Sequence, residues 1–77
     1  MMTVFSMTAE QKGMRVCYEL LEEAGRYGLR VSCGAESEEI PDLTTDKNAL
    51  LQLLNAMHRG FVTPVTARDI AEDWLLR

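Results

Sequence analysis

The chain has 77 residues, which suits one domain with one small core; a domain of this size buries only about 60–65% of the surface its unfolded chain exposes. Hydrophobic residues make up 47%, which excludes disorder of the whole chain, and the apolar runs are too short for a transmembrane helix. Twelve acids against eight bases give a net charge of −4, a balance that disfavours nonspecific binding to DNA, RNA or an anionic membrane.

The opening MMTVFSM has no basic leader and meets Thr8 and Glu10 too soon for a signal peptide. The expected setting is therefore a reducing cytoplasm, with Cys17 and Cys33 as free thiols. The pattern of TVFSM leaves open whether it adds a strand.

Residues 14–24 fit two patterns. Met14, Cys17, Tyr18 and Leu21 make a helical stripe, and Gly25 would end that helix. Met14, Val16, Tyr18 and Leu20 alternate as a strand. The next segment is plainer: Tyr27, Leu29, Val31 and Cys33 alternate with Gly28, Arg30 and Ser32 as a half-buried strand.

Pairing the two segments favours the strand. With Ala24–Gly25 as the turn, Val16 faces Cys33, Tyr18 faces Val31 and Leu20 faces Leu29 on one side. Glu19 then faces Arg30 and Glu23 faces Arg26 on the other side, with Cys17 opposite Ser32 and Leu21 opposite Gly28. Such cross-strand pairs contribute roughly 0.2–1 kcal/mol each. A slip of one residue sets Glu19 against Val31 and Cys17 against Cys33, and it splits the apolar sets between two faces. An antiparallel hairpin is therefore expected, with Cys33 in the core and Cys17 on the outer face.

Residues 36–43, ESEEIPDL, have only Ile40 and Leu43 as apolar anchors. Pro41 lacks an N–H and restricts the piece to an edge strand or an extended crossing. A helix follows over residues 44–60, where Leu50, Leu53, Leu54 and Met57 form one stripe. Thr44, Thr45 or Asp46 caps its start, His58 and Arg59 suit its last turn, and Gly60 in a left-handed conformation ends it. Thr63 as N-cap with Pro64 at the first helical position starts a second helix over residues 63–77; Thr66 is an alternative cap. Ala67, Ile70, Ala71 and Trp74 are its stripe. The short connection makes the two helices neighbours.

The expected fold is one α+β domain over residues 1–77, a two-layer structure. An antiparallel hairpin or small sheet packs against two antiparallel C-terminal helices. The expected core is Val16, Tyr18, Leu20, Leu29, Val31, Ile40, Leu50, Leu53, Leu54, Met57, Ile70 and Trp74.

The order of these features resembles a family of short uncharacterised bacterial proteins. Its members carry a YGI-type strand and a C-terminal helix that opens Ser/Thr-Pro-Ile/Val and continues Asp-Val/Ile-x-Glu-Asp. The matching residues are Tyr27, Gly28, Leu29 and Val31, then Thr63, Pro64, Val65, Asp69, Ile70, Glu72, Asp73 and Trp74. The resemblance covers about residues 15–76. It implies a strand at residues 14–22 and brings with it no activity and no functional residue.

The chemistry-bearing residues point away from catalysis. The lone histidine, His58, needs a second placed group and a pocket before it can act as an acid or base. Asp69 and Asp73 stand one turn apart beside Glu72, as a solvated helix face does. Cys17 and Cys33 lack the neighbours of a zinc site. No catalytic, cofactor-binding or metal-binding residue is assigned, and the protein is read as a non-enzyme.

VTARDIAEDW looks like the opening helix of a helix-turn-helix domain. Read as the second motif helix, it sets Asp69, Glu72 and Asp73 against few bases, so direct nucleic-acid binding is not expected. Two features suit a protein partner. Glu36, Glu38, Glu39, Asp42 and Asp46 are five acids without an intervening base, and Leu76 falls off the helical stripe, where it could join a homodimer surface. The leading reading is a small acidic interaction module that self-associates and acts through another protein. One alternative is an inhibitor that mimics nucleic-acid phosphate in a basic groove, as anti-CRISPR proteins do. Another is a small ligand binder or enzyme using His58 with the carboxylates.

Overall fold

The computed structural model of the chain describes residues 1–76. Four strands, β1 (Met2–Gln11), β2 (Met14–Glu23), β3 (Arg26–Cys33) and β4 (Glu36–Thr44), precede two helices, α1 (Lys47–Arg59) and α2 (Pro64–Leu75). The strands form one antiparallel sheet in the order β1-β2-β3-β4, with both helices packed on it. The α+β architecture expected from the sequence is the one observed, and TVFSM does form part of a strand.

Local chemistry explains the meander. Two-residue turns join the strands. Ala24 (φ 52°) and Gly25 (φ 79°) both lie in the left-handed region, as a type I′ turn requires, and this turn matches the twist of the strands it connects. The β2–β3 register is the one predicted: Cys17↔Ser32, Tyr18↔Val31, Glu19↔Arg30, Leu20↔Leu29, Leu21↔Gly28 and Glu23↔Arg26. The neighbouring registers extend its rows across the sheet. Phe5, Leu20, Leu29 and Ile40 form one row on the helix side, and Ser6, Glu19, Arg30 and Glu39 form a polar row on the other.

Val16, Tyr18, Leu20, Leu29 and Val31 are fully buried against Leu50, Leu54 and Met57 of α1. Tyr18 keeps its hydroxyl satisfied at depth by donating to the Val62 carbonyl oxygen at 2.7 Å. Ten of the twelve predicted core residues are buried, and the other two are corrected. Ile70 and Trp74 are only partly buried, because α2 docks through its small residues Ala67 and Ala71, both fully buried, with Pro64 beside them. Close approach along the alanines pushes the larger side chains to the flank.

Two leucines join the interior unpredicted. Leu43 turns inward after a bend at Asp42 (φ 61°), and Leu21 is buried on the outer face of the sheet. Leu21 sits opposite Gly28, over which β4 crosses closely: a Cβ on Gly28 would lie 2.5 Å from the Ile40 carbonyl oxygen and 2.6 Å from the Pro41 Cα. The ladder between β3 and β4 shifts register there, between Tyr27 and Leu29.

The helix termini follow the expected chemistry with one correction. Asp46 caps α1 by accepting from the Ala49 N–H at 3.2 Å, and Thr63 is the N-cap residue of α2 with Pro64 next. Gly60 is not left-handed (φ −86°). Phe61 takes that conformation instead (φ 50°), with Phe61 N–H donating to the His58 carbonyl and Val62 N–H to the Met57 carbonyl. These two bonds are the closing pair of a helix end whose left-handed residue comes one place after the glycine.

Candidate interaction surfaces

The thiols come first because the register decides them. Both cysteines are free and both are partly buried. Cys33 packs against the core cluster, and Cys17 pairs with Ser32 in the ladder, so no disulfide joins them. Burial pushes the Cys17 thiol up from its ordinary value, with the Glu19 carboxylate adding to the effect, and this keeps it protonated and a poor nucleophile.

His58 is held by structure. Its Nε2 lies 2.8 Å from the Thr8 carbonyl oxygen, which can only accept, so this nitrogen carries the proton. Its ring meets Tyr18 edge-on, with centroids 5.8 Å apart. Around it lies a shallow hollow lined by Gln52, Asn55 and Arg59. Asp69 and Asp73 line a different hollow, with Gly60 to Thr63, Thr66 and Ile70. The histidine and the carboxylates that an acid–base reading would need line separate depressions. Among the described residues, no group of three or more His, Cys, Asp or Glu side chains is placed to hold a metal ion.

The acidic stretch is dispersed rather than gathered. Glu39 accepts from Arg30 at 3.1 Å, Glu38 pairs with Arg68 of α2 at 2.6 Å, Asp42 pairs with Arg26, and Asp46 serves as the helix cap. Of the five acids, Glu36 alone has no side-chain ion pair or hydrogen bond among the described residues. Arg68 also donates to the Glu39 carbonyl oxygen at 3.2 Å, tying α2 to β4. Arg30 sits at the centre of the polar face. It donates through Nε and Nη2 to the two carboxylate oxygens of Glu19 at 2.8 and 3.1 Å, besides its bond to Glu39. That fork holds the Glu19 carboxyl below its usual range, and a bond from Thr3 adds to the effect. Sequence reading found the Glu19–Arg30 pair through the register. It did not find the Arg68 contacts, because Arg68 and Glu38 are 30 residues apart in the chain.

The exposed apolar residues lie along two elements. Met1, Met2, Phe5 and Met14 lie on or beside β1, and Val65, Leu75 and Leu76 lie on α2 or just beyond its end. Leu76, singled out for falling off the helical stripe, is 86% exposed. On the outer face, Leu21 floors a hollow of about 340 Å³ that Met1, Arg26, Gly28 and Pro41 help to line.

Comparison with known proteins places the chain in a family. The model of a family described as "Family of unknown function (DUF6514)" covers residues 2–77. No curated protein and no solved structure matches the chain.

Proposed function

The chain belongs to DUF6514, a family of unknown function, and we propose that this member is a small non-enzymatic interaction module that self-associates and acts through another protein. A bacterial and cytoplasmic setting is part of that reading. The observation that carries it is the set of seven large hydrophobic side chains left open to solvent on so small a domain. Single exposed residues of this kind are ordinary; what supports an interface is that four of the seven, Met1, Met2, Phe5 and Met14, lie on or beside β1.

The phosphate-mimic alternative draws less support. Glu38, Glu39 and Asp42 already face arginines of the same chain, which lowers the field a basic groove would feel. The acid–base alternative would need His58 and the carboxylates in one hollow. Sedimentation equilibrium of the purified chain across a wide concentration range tests the leading reading. A mass that rises above 8.7 kDa with concentration supports it, and a mass fixed at that value refutes self-association.

A further inference from the structure

The two edges of the sheet differ. An edge strand presents unpaired N–H and C=O groups, and proteins usually block it with proline, bulges or charge. The β4 edge has all three. Pro41 offers no N–H, Asp42 at φ 61° breaks the extended run, and acids line the strand. The β1 edge has little protection. It runs ten residues with Glu10 as its only charge, contains no proline, and lies among Met1, Met2, Phe5 and Met14, each exposed by 41% or more.

We propose that β1 pairs antiparallel with the β1 of a second copy of this chain, joining two four-stranded sheets into one; this rests on the self-association reading above and names its surface. A two-fold axis at Met7 gives a self-complementary register. Met7 meets the partner's Met7 and Phe5 meets the partner's Ala9, all on the helix side, where Met7 and Ala9 already pack against the core. Ser6 meets the partner's Thr8 on the outer side, a hydroxyl pair of the kind that favours strand pairing. No like charges oppose each other. The Thr8 carbonyl accepts from His58, and its second lone pair remains for a strand. The shift in the β1–β2 ladder between Thr3 and Phe5 limits the run, so the interface is short and the dimer reversible. Both β1 edges are consumed and the outward β4 edges are blocked, so assembly stops at two.

The test uses the whole chain in sedimentation equilibrium with hydrogen exchange. Ser6 and Thr8 are exposed, so their substitution leaves the core intact, and the thermal melt checks this. The wild type is expected to approach twice 8.7 kDa at high concentration, with the amides of residues 5–9 that point away from β2 protected only there. Ser6→Lys with Thr8→Lys sets lysines opposite lysines and is expected to be monomeric. Ser6→Lys with Thr8→Glu sets opposite charges together and is expected to restore the dimer. If the wild type dimerises while the outward-facing amides of residues 5–9 exchange freely, or the double-lysine variant stays dimeric, the β1 edge is overturned and self-association stands. If the lysine–glutamate variant is folded but monomeric, the Ser6–Thr8 register is overturned. A wild type that is monomeric throughout overturns both this pairing and the reading it rests on.

Discussion

Replacing Gly28 with alanine adds one methyl group where β4 crosses β3. In an ordinary strand this change stabilises by about 0.5–1 kcal/mol, since it restricts the unfolded chain. Here the new Cβ would lie 2.5 Å from the Ile40 carbonyl oxygen, 2.6 Å from the Pro41 Cα and 3.0 Å from the Asp42 nitrogen. All three are backbone atoms, so no side chain can swing aside. Moving the oxygen from 2.5 Å to an ordinary 3.4 Å requires β4 to retreat by 3.4 − 2.5, about 0.9 Å. That shift would open the packing of Ile40 and the lid over Leu21. Overpacking of this kind costs about 1–3 kcal/mol, so a net loss of about 1 kcal/mol is expected after the entropic gain is subtracted. In a domain this small, about 1 kcal/mol lowers the melting temperature by roughly 4–8 °C. Urea and thermal unfolding followed by far-ultraviolet circular dichroism measure it. Gly60→Ala is the control, because Gly60 has φ −86° and its added Cβ would come no closer than 3.4 Å to any atom. A Gly28→Ala protein as stable as the wild type would refute the close-crossing account.

Gly60→Ala itself should be neutral or stabilising by up to about 1 kcal/mol in the same melts; a clear loss would mean that Gly60 needs left-handed freedom after all. Tyr18→Phe should cost about 0.5–1.5 kcal/mol by leaving the Val62 carbonyl without its donor, measured by urea unfolding. Glu19→Gln should cost about 1 kcal/mol near neutral pH and much less in acid. The sign follows from the depressed Glu19 value. The carboxylate stabilises the fold above its unfolded-state value near 4.5, and this contribution fades as pH falls through the lower folded-state value. Unfolding of both proteins at pH 7 and at about pH 3 measures the difference, which should narrow in acid. Intact-mass measurement under non-reducing conditions should find no Cys17–Cys33 bridge; finding one would contradict the register that places Cys17 opposite Ser32.

The central hairpin was legible because three independent patterns agree in one register: apolar alternation, opposite charges across the ladder, and turn residues able to take positive φ. β1 was less so, since Val4, Met7 and Ala9 are only partly buried and Phe5 is exposed, which weakens the alternation a strand shows. The stripe of α2 was correctly placed, but its depth was misjudged. Periodicity gives the face of a helix, while the distance of approach depends on which residues on that face are small. The pairing of the acidic stretch was hidden for a different reason. Arg68 reaches Glu38 only after α2 has folded back onto β4, and nothing local in either segment encodes that meeting. The exposure of Leu76 agreed with its position off the stripe.

Spatial order in the sheet repeats chain order, strand by strand. Each ladder therefore closes only a two-residue loop, and the sheet can assemble by zipping from any hairpin without first joining distant parts of the chain. Such local connectivity favours fast folding for a β-rich domain. The slower events should be the docking of α1 and α2, which close the longest loops, so a kinetic intermediate would be a formed sheet with Leu20, Leu29 and Val31 still open to water.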